Sequence, residues 1–162
     1  MSSNSINSLT NDYEFLNNFY RAEVEYQGMI YPSAQAAFQA SKTLDNEIRK
    51  EYTNLTAAEA TLKGNVMAPY LEWEQDKQKI MYKILKSKFS RNQELRTALM
   101  KTNTAQITHK NNWHENYWGE CVCEKCSEKD KNNFLGKILM QVREDLRTES
   151  FLEAYLKRNN NV

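Results

Sequence analysis

Two short segments, far apart in the chain, carry residue types that could act on a nucleoside. YPSAQAAFQASK occupies 31–42, and WHENYWG occupies 113–119. The first reads as a tight turn that opens a helix, and the second gathers aromatic residues around one carboxylate just before a glycine. Aromatic faces stack on a base, while a carboxylate stabilises positive charge and helps to activate water. Together the segments predict a site that grips a base or sugar and hydrolyses the bond between them.

Position 35 is the first candidate for chemistry. Ser33 follows a proline and is a natural N-cap, so the sequence predicts a helix over about 34–43. On that helix Gln35 lies within reach of Phe38 and Lys42, because steps of three and four residues bring side chains together. Gln35 also falls in the first turn, where free backbone N–H groups favour an anionic or polar ligand. The alternative is an ordinary solvated glutamine, which the residue type alone favours.

Glu115 is the second candidate, because it is the carboxylate of the aromatic segment. A carboxylate that is desolvated beside aromatic rings suits proton transfer near neutral pH. Most glutamates in such a setting are instead exposed loop charges. Trp118 is a candidate stacking surface, whereas Trp113 reads better as part of a small satellite core. Trp73 lies in a predicted long helix, where a tryptophan is more often a core residue than a stacking surface.

All three cysteines fall in the short sequence CVCEKC. An odd number of cysteines argues against a disulfide framework. Cys121, Cys123 and Cys126 supply three soft ligands for a structural zinc, and His114 is the nearest fourth ligand. His109 is an alternative fourth ligand. Zinc sites usually show two paired Cys-x-x-Cys elements, so reduced thiols and a zinc site both stay open.

The hydrophobic periodicity predicts an α+β protein that is predominantly α-helical, with a few short strands, in one compact domain. Alternation in AEVEY and MIY on either side of Gln27 and Gly28 predicts a hairpin. AQIT at 105–108 suits a short strand. Further helices are predicted over about 45–53, from a Thr56 capping box to Gly64, over 70–89, over 92–101, and along the apolar face from Leu135 to Leu146.

The two ends of the chain are less regular in pattern. Residues 1–11 are small and polar, and they are predicted to form a disordered tail that precedes a single domain over 12–162. Near the other end, the apolar residues of 151–156 either continue the last helix or form a separate turn. After the helices are assigned we expect no exposed apolar stripe, and therefore a monomer.

The composition limits the partners of the chain. Its 162 residues include 22 basic and 21 acidic side chains, and the formal net charge of +1 selects neither nucleic acid nor membrane. The sequence has no apolar run of membrane-spanning length, and MSSNSINSLTND lacks the features of a secretory signal. We therefore expect a cytoplasmic location. A locally basic stretch over 77–101 is either a solvated helix face or a phosphate-binding flank.

Four ordered motifs resemble the YbiA-like family, also called the NADAR (NAD- and ADP-ribose-associated) domain family. They are YPSAQAAFQASK, the Trp73 region with IMYKILKSKFSRNQELRTALMKT, ENYWGE and NFLGKILMQVRE. The likeness runs from about Phe15 to Leu146. It implies a mainly helical α+β domain with N-glycosidase chemistry that requires no cofactor. Family substrates include riboflavin-pathway intermediates with a ribosylamino bond, and ADP-ribose attached to guanine in nucleic acid, whose removal is an antitoxin activity.

The resemblance also implies ligand-binding roles outside the two segments. The expected set is Phe15, Asn18 and Phe19 of an FxNF-like segment, Phe38, Lys42, Trp73 and Lys88, then Trp118, Gly119, Asn133 and Gly136. We expect the two active-site tryptophans to sandwich a base or ribose, and a lysine at 42 or 88 to hold phosphate. Glu115 stands where the family usually has an aspartate, and its expected role is to stabilise the ribosyl cation.

Gln35 is the departure from the family that matters most, because its YPSxE motif has a glutamate there. Glutamine can orient a water molecule but cannot accept its proton. Three interpretations stay open: a variant that works through Glu115, a binder that has lost hydrolysis, or an isosteric change introduced to trap a ligand. The expected function is hydrolysis of the bond between ADP-ribose and guanine, slowed or lost through Gln35. The alternatives are hydrolysis of riboflavin-pathway ribosylamino-pyrimidine phosphates and non-catalytic ADP-ribose binding.

Overall fold

The regular structure is mostly helical, as predicted, in a computed structural model that describes residues 5–159. Short 3-10 turns lie at Asn11–Leu16, Tyr52–Asn54 and Glu124–Cys126. The strands are β1 (Ser5–Ile6), β2 (Arg21–Tyr26), β3 (Met29–Ser33), β4 (Gln106–Ile107), β5 (Lys110–Asn111) and β6 (Glu120–Cys121). The helices are α1 (Ala34–Ala40), α2 (Asn46–Glu51), α3 (Ala57–Asn65), α4 (Trp73–Arg91), α5 (Gln93–Lys101) and α6 (Phe134–Asn159).

An antiparallel hairpin of β2 and β3 leads the chain into α1. Its turn residues Gln27 and Gly28 have φ angles of 49° and 82°, the left-handed conformations that a two-residue hairpin turn requires. Ser33 ends β3 and caps α1, because its Oγ accepts a hydrogen bond from the Ala36 N–H at 3.1 Å. The predicted hairpin and N-cap are therefore confirmed, and α1 ends at Ala40, earlier than expected.

Side-chain caps also set the starts of the next two helices. Asp45 accepts the Glu47 N–H at 2.8 Å at the start of α2. Thr56 and Glu59 form the predicted capping box at the start of α3, with the Thr56 N–H donating to Glu59 Oε2 at 2.8 Å. These local bonds fix where α3 begins, and α3 packs against α1.

The two longest helices, α4 and α6, form the centre of the core. They pack against each other, and α4 also packs against β2. Buried apolar side chains recur at helical spacing along both helices, as predicted. They are Ile80, Met81, Ile84, Leu85 and Phe89 in α4, and Leu135, Ile138, Leu139, Val142 and Leu146 in α6.

The expectation of a disordered tail is wrong for residues 5–11. β1 pairs in parallel with β4, and the side chains of Ile6 and Leu9 are buried. These two apolar residues join the core only because a distant strand receives them, so the local polar composition gave no sign of it. Residues 1–4 of the predicted tail lie outside the described residues.

The end of α6 corrects the argument for a monomer. The residues of 151–156 continue α6 as one helix. Four of their apolar side chains are between 56% and 71% exposed: Phe151, Leu152, Tyr155 and Leu156. The expected absence of an exposed apolar stripe is therefore wrong, and the oligomeric state stays a prediction. Within 5–159, no helix has the length and apolar character needed to cross a membrane.

Candidate active site

The start of α1 is tied to the loop that precedes β2. The Gln35 N–H donates to the Asn18 carbonyl at 2.9 Å, and the Ala36 N–H is taken by Ser33. The sequence predicted that first-turn N–H groups would be free to hold an anion. Two of these groups already have protein partners, which leaves fewer N–H groups at this helix start for an anion than predicted.

The Gln35 side chain is half-buried and bridges α1 to α3. Its Nε2 donates to Thr61 Oγ1 at 2.9 Å, and the Thr61 hydroxyl in turn donates to the Ala57 carbonyl at 2.8 Å. The Thr61 hydroxyl donates its one proton to the Ala57 carbonyl, so it can only accept a hydrogen bond from Gln35. The Gln35 amide must therefore direct its Nε2 group toward Thr61. Oε1 is therefore the Gln35 atom left to orient a water molecule or a ligand hydroxyl.

Three aromatic rings, Phe38, Trp73 and Trp118, form what we call the aromatic cluster. The Phe38 ring centroid lies 5.1 Å from that of Trp73 and 5.3 Å from that of Trp118. Trp73 is buried, and its Nε1 donates to Ser41 Oγ at 3.0 Å. Trp118 is only half-buried. The two indoles thus meet through Phe38 rather than across an open gap, and Trp118 is the ring better placed to stack on a ligand.

Two lysines place positive charge beside the aromatic cluster. Lys42 Nζ lies 5.6 Å from the Trp73 ring centroid and donates to the Gly64 carbonyl at 2.8 Å. Lys77 Nζ lies 6.0 Å from the same ring and 3.9 Å from the Tyr117 ring, and it pairs with Glu74 at 2.6 Å. Burial lowers the pKa of Lys42, and the Glu74 carboxylate opposes that shift. Lys77 follows Trp73 by one helical turn, so helical spacing accounts for its approach to that ring, whereas its contact with Tyr117 could not be predicted from spacing.

Glu115 holds together the loop that carries Trp118. Its Oε1 accepts the N–H groups of Tyr117 and Trp118, each at 2.9 Å, and its Oε2 accepts the Gly119 N–H at 2.6 Å. The Asn111 amide grips the same loop, since its Nδ2 donates to the Glu115 carbonyl at 2.6 Å. Both carboxylate oxygens have backbone donors. The geometry therefore gives Glu115 a positioning role, and its expected contact with a ribose stays a prediction.

Lys88 does not reach a surface phosphate. Its side chain is 0% exposed, and Nζ donates to the Asn17 carbonyl at 2.8 Å. Burial lowers the pKa of Lys88 to about 7. The predicted phosphate contact is therefore wrong for Lys88, whereas Lys42 is half-exposed at the aromatic cluster.

Gly119, Asn133 and Gly136 have packing roles in the structure. A side chain at Gly119 would collide with the His109 carbonyl, and one at Gly136 would collide with the Ile107 carbonyl. Asn133 has a φ of 47°, its Nδ2 donates to the Ile107 carbonyl at 2.9 Å, and its Oδ1 accepts the His109 N–H at 3.0 Å. These residues join α6 to β4 and β5, which accounts for their types without a ligand.

The FxNF-like segment lies beside the start of α1. Phe15 packs edge-on against Phe89, with the centroids 6.4 Å apart. Asn18 is buried, its Nδ2 contacts Met81 Sδ at 3.5 Å, and its Oδ1 has no hydrogen-bond partner among residues 5–159. Phe19 is 49% exposed. An unpaired buried amide oxygen is uncommon, so Asn18 is where a water molecule or ligand hydroxyl is expected.

A cavity of about 360 Å³ adjoins Phe19 at the start of α1. Its wall includes Ser33, whereas Gln35 and the three rings of the aromatic cluster are not among its lining residues. The rest of this wall comes from β2, β3 and the segment that leads from α2 into α3, and the local sequence pattern could not show that these parts lie together. The remaining lining residues are Arg21, Pro32, Thr53, Asn54, Leu55, Thr56 and Ala57.

The three cysteines converge with His114, and His109 is not part of this group. The His114 Nδ1 and the three sulfurs all lie within 4.8 Å of one another. The three cysteines are free thiols, and their sulfurs together with the imidazole are suited to bind zinc. We call His114, Cys121, Cys123 and Cys126 the thiol–imidazole cluster.

Comparisons with known proteins agree with the fold. The NADAR domain family matches residues 4–147. The N-glycosidase YbiA of Shigella flexneri serotype 5b (strain 8401) is 33% identical over 146 residues, which cover 88% of this chain and 87% of that protein. A riboflavin biosynthesis protein of Vibrio vulnificus (strain YJ016) is 28% identical over 141 residues, which cover 83% of this chain but 36% of that protein. The NMR structure of the E. coli protein YbiA aligns with a TM-score of 0.77 at 30% identity, covering 93% of this chain and 89% of that one.

Proposed function

The chain belongs to the NADAR domain family, and we propose that it is an N-glycosidase that hydrolyses the bond between ADP-ribose and guanine in ADP-ribosylated nucleic acid. The observation that carries this proposal is the aromatic cluster with two ammonium groups beside it. An indole face suits a purine, and two cations suit a diphosphate better than a monophosphate. A nucleoside diphosphate sugar linked to a base offers both features.

The chemistry has a physical requirement that bears on position 35. Cleavage of an N-glycosidic bond builds positive charge on the ribose, as in O-glycoside hydrolysis, while guanine leaves with the bonding electron pair. Water then attacks the anomeric carbon, and the proton that it loses is taken up by the departing guanine or by solvent. In this proposal Gln35 Oε1 orients that water, and Trp118 stacks on the guanine. Because an amide cannot accept a proton, the chain lacks a general base at this position. Turnover by this chain should therefore be slow, while binding of ADP-ribose is retained.

Two other functions have specific support. The Vibrio vulnificus relative is named a riboflavin biosynthesis protein, which favours ribosylamino-pyrimidine phosphates as substrates. Against this, a monophosphate offers less negative charge to the two neighbouring ammonium groups than a diphosphate does. Gln35 supports the other candidate, a non-catalytic ADP-ribose-binding module.

A paired assay with two isosteric variants tests the proposal. The chain, Gln35→Glu and Gln75→Glu are incubated with an oligonucleotide that carries ADP-ribosyl-guanine, and separately with the ribosylamino-pyrimidine phosphate, and released products are separated by chromatography. Gln75 is exposed on α4, so it receives the same chemical change away from the Gln35–Thr61 contact between α1 and α3. We expect Gln35→Glu to release ADP-ribose at least about tenfold faster than the chain, and Gln75→Glu to be unchanged.

The other outcomes separate the alternatives. Equal rates for Gln35→Glu and the chain would refute the role given to position 35. Release from the pyrimidine substrate alone would favour the riboflavin-pathway function. ADP-ribose binding by both variants, without release from either substrate, would favour the binding module.

A further inference from the structure

We propose that His114, Cys121, Cys123 and Cys126 bind one Zn²⁺, and that this closed structural site fastens the loop that presents Trp118. The distances match such a site. Cys121 Sγ lies 3.3 Å from Cys123 Sγ, and the His114 Nδ1 lies 3.3 Å from Cys123 Sγ and 3.4 Å from Cys126 Sγ. Ligands of a tetrahedral zinc are separated by about 3.5–3.8 Å, given Zn–S and Zn–N bonds of about 2.3 and 2.0 Å. Small rotations of the side chains bring all four ligand atoms to that spacing.

The residue types make this convergence hard to explain as ordinary packing. The chain has three cysteines and two histidines. All three cysteines and one of the histidines lie in the cluster. Cys121 and Cys126 are buried, which places two sulfurs inside the site, while the exposed His114 closes it from the solvent side. A tetrahedral set of three thiolates and one imidazole is typical of structural zinc.

Several local features of the backbone bring the ligands together. β6 pairs in parallel with β5, and the Val122 N–H donates to the Asn111 carbonyl at 2.8 Å, which fixes the chain beside Cys121 and Cys123. The 3-10 turn then carries Cys126 back, through its N–H donated to the Cys123 carbonyl at 3.0 Å. His114 has a φ of 68°, a left-handed conformation that few non-glycine residues adopt.

The position of the cluster in the chain indicates what the zinc would do. Its ligands flank the segment 115–120, which contains the Glu115 carboxylate that holds the Trp118 N–H. The metal would therefore link His114 and Cys121, at the two ends of this loop, more strongly than the hydrogen bonds of Glu115 do. Four protein ligands complete a tetrahedron and leave no position for water, so the role of this zinc is structural.

Metal analysis of the purified chain gives the first test, and none of its readouts depends on enzymatic activity. The chain is purified under reducing conditions without chelator, and zinc is counted by elemental mass spectrometry. We expect one zinc per chain. All three thiols should resist a thiol reagent in the native protein and react fully after a chelator is added. Reconstitution with Co²⁺ should give the absorption bands of tetrahedral thiolate-bound cobalt.

His114→Asn is the diagnostic variant, because asparagine tolerates the left-handed conformation and the side chain is exposed, so folding is retained. We expect zinc affinity to fall by at least about a hundredfold. Chelation should lower the Tm of the chain by at least about 5 °C and leave the Tm of His114→Asn nearly unchanged. Ser127→Ala, just beyond the last ligand, should bind zinc as the chain does.

Three results would overturn the proposal. The first is less than about one zinc per ten chains after incubation with zinc and reductant. The second is unchanged zinc affinity in His114→Asn. The third is a metal-loaded chain whose Tm does not respond to the chelator, which would remove the structural role.

Discussion

Replacing Glu115 by glutamine tests whether this residue positions the Trp118 loop or acts on substrate. The amide oxygen of the variant can still accept the N–H groups of Tyr117 and Trp118. Its other end becomes an NH₂ group that faces the Gly119 N–H, which donates to Glu115 Oε2 at 2.6 Å in the structure. Two donors would then face each other at hydrogen-bond distance, so the loop has to move.

The magnitude follows from the bonds that change. A hydrogen bond to a charged group contributes about 1.5–3 kcal/mol, and bonds to a neutral acceptor are about half as strong. One bond is lost and two are weakened, but Glu115 is half-exposed and water compensates part of the loss. We therefore expect a destabilisation of about 2–3 kcal/mol. For a domain of this size that lowers the Tm by about 4–12 °C.

Thermal unfolding by circular dichroism, combined with calorimetric titration of ADP-ribose, measures both effects. We expect ADP-ribose binding by Glu115→Gln to weaken about tenfold, because Trp118 loses its fixed position. Glu120→Gln makes the same chemical change at the start of β6, outside the amide network around Glu115, and should melt within about 1 °C of the chain. If Glu115→Gln keeps both the Tm and the affinity but stops hydrolysis, the carboxylate acts on the substrate and the positioning role is wrong.

Three further variants test the roles assigned to buried or charged groups. Because the pKa of Lys88 is lowered to about 7, the folded state binds fewer protons than the unfolded state above about pH 7, and the chain becomes more stable as the pH rises. In urea unfolding, any stability advantage of Lys88→Met over the chain should therefore shrink by about 1–2 kcal/mol between about pH 7 and pH 9. Parallel pH profiles for the two proteins would contradict this. Gly136→Ala should lower the unfolding free energy by about 2–3 kcal/mol, because its Cβ would collide with the Ile107 carbonyl; an unchanged urea midpoint would show that the helix can shift. Lys42→Met should weaken ADP-ribose binding about tenfold at low salt but leave adenosine binding unchanged, and equal losses for both ligands would indicate a packing role.

Features that depend on neighbouring residues could be predicted from the sequence. The Ser33 cap, the Thr56 capping box and the turn at Gln27 and Gly28 each involve groups within a few residues of one another. The apolar periodicity of α4 and α6 likewise reflects one face of each helix. For these elements the local pattern and the tertiary structure require the same conformation, so the predictions hold.

Features that depend on distant backbone groups could not be predicted. The burial of Ile6 follows from pairing with β4 across about a hundred residues, and two-residue strands have no periodicity to detect. The partners of Glu115 and Lys88 are main-chain N–H and carbonyl groups, which every residue carries. A sequence can show that a carboxylate lies among aromatic residues, but it cannot show that the backbone has already occupied both of its oxygens.

Because both Glu115 oxygens already accept backbone N–H groups, we assign the orientation of the attacking water to position 35. A glutamate there would fit in the same space, because the Thr61 hydroxyl can turn from the Ala57 carbonyl and donate to the new carboxylate. Substitution at this position can therefore change proton transfer without disturbing Phe38, one turn further along α1, or Lys42, just beyond the end of α1. Hydrolysis can then be changed without changing binding, through the one terminal group by which the side chains of glutamine and glutamate differ. It follows that the chain and Gln35→Glu should bind ADP-ribose with similar affinity, within about threefold, while their turnover differs by at least about tenfold. A large change in affinity with no change in turnover would instead place residue 35 in ligand binding.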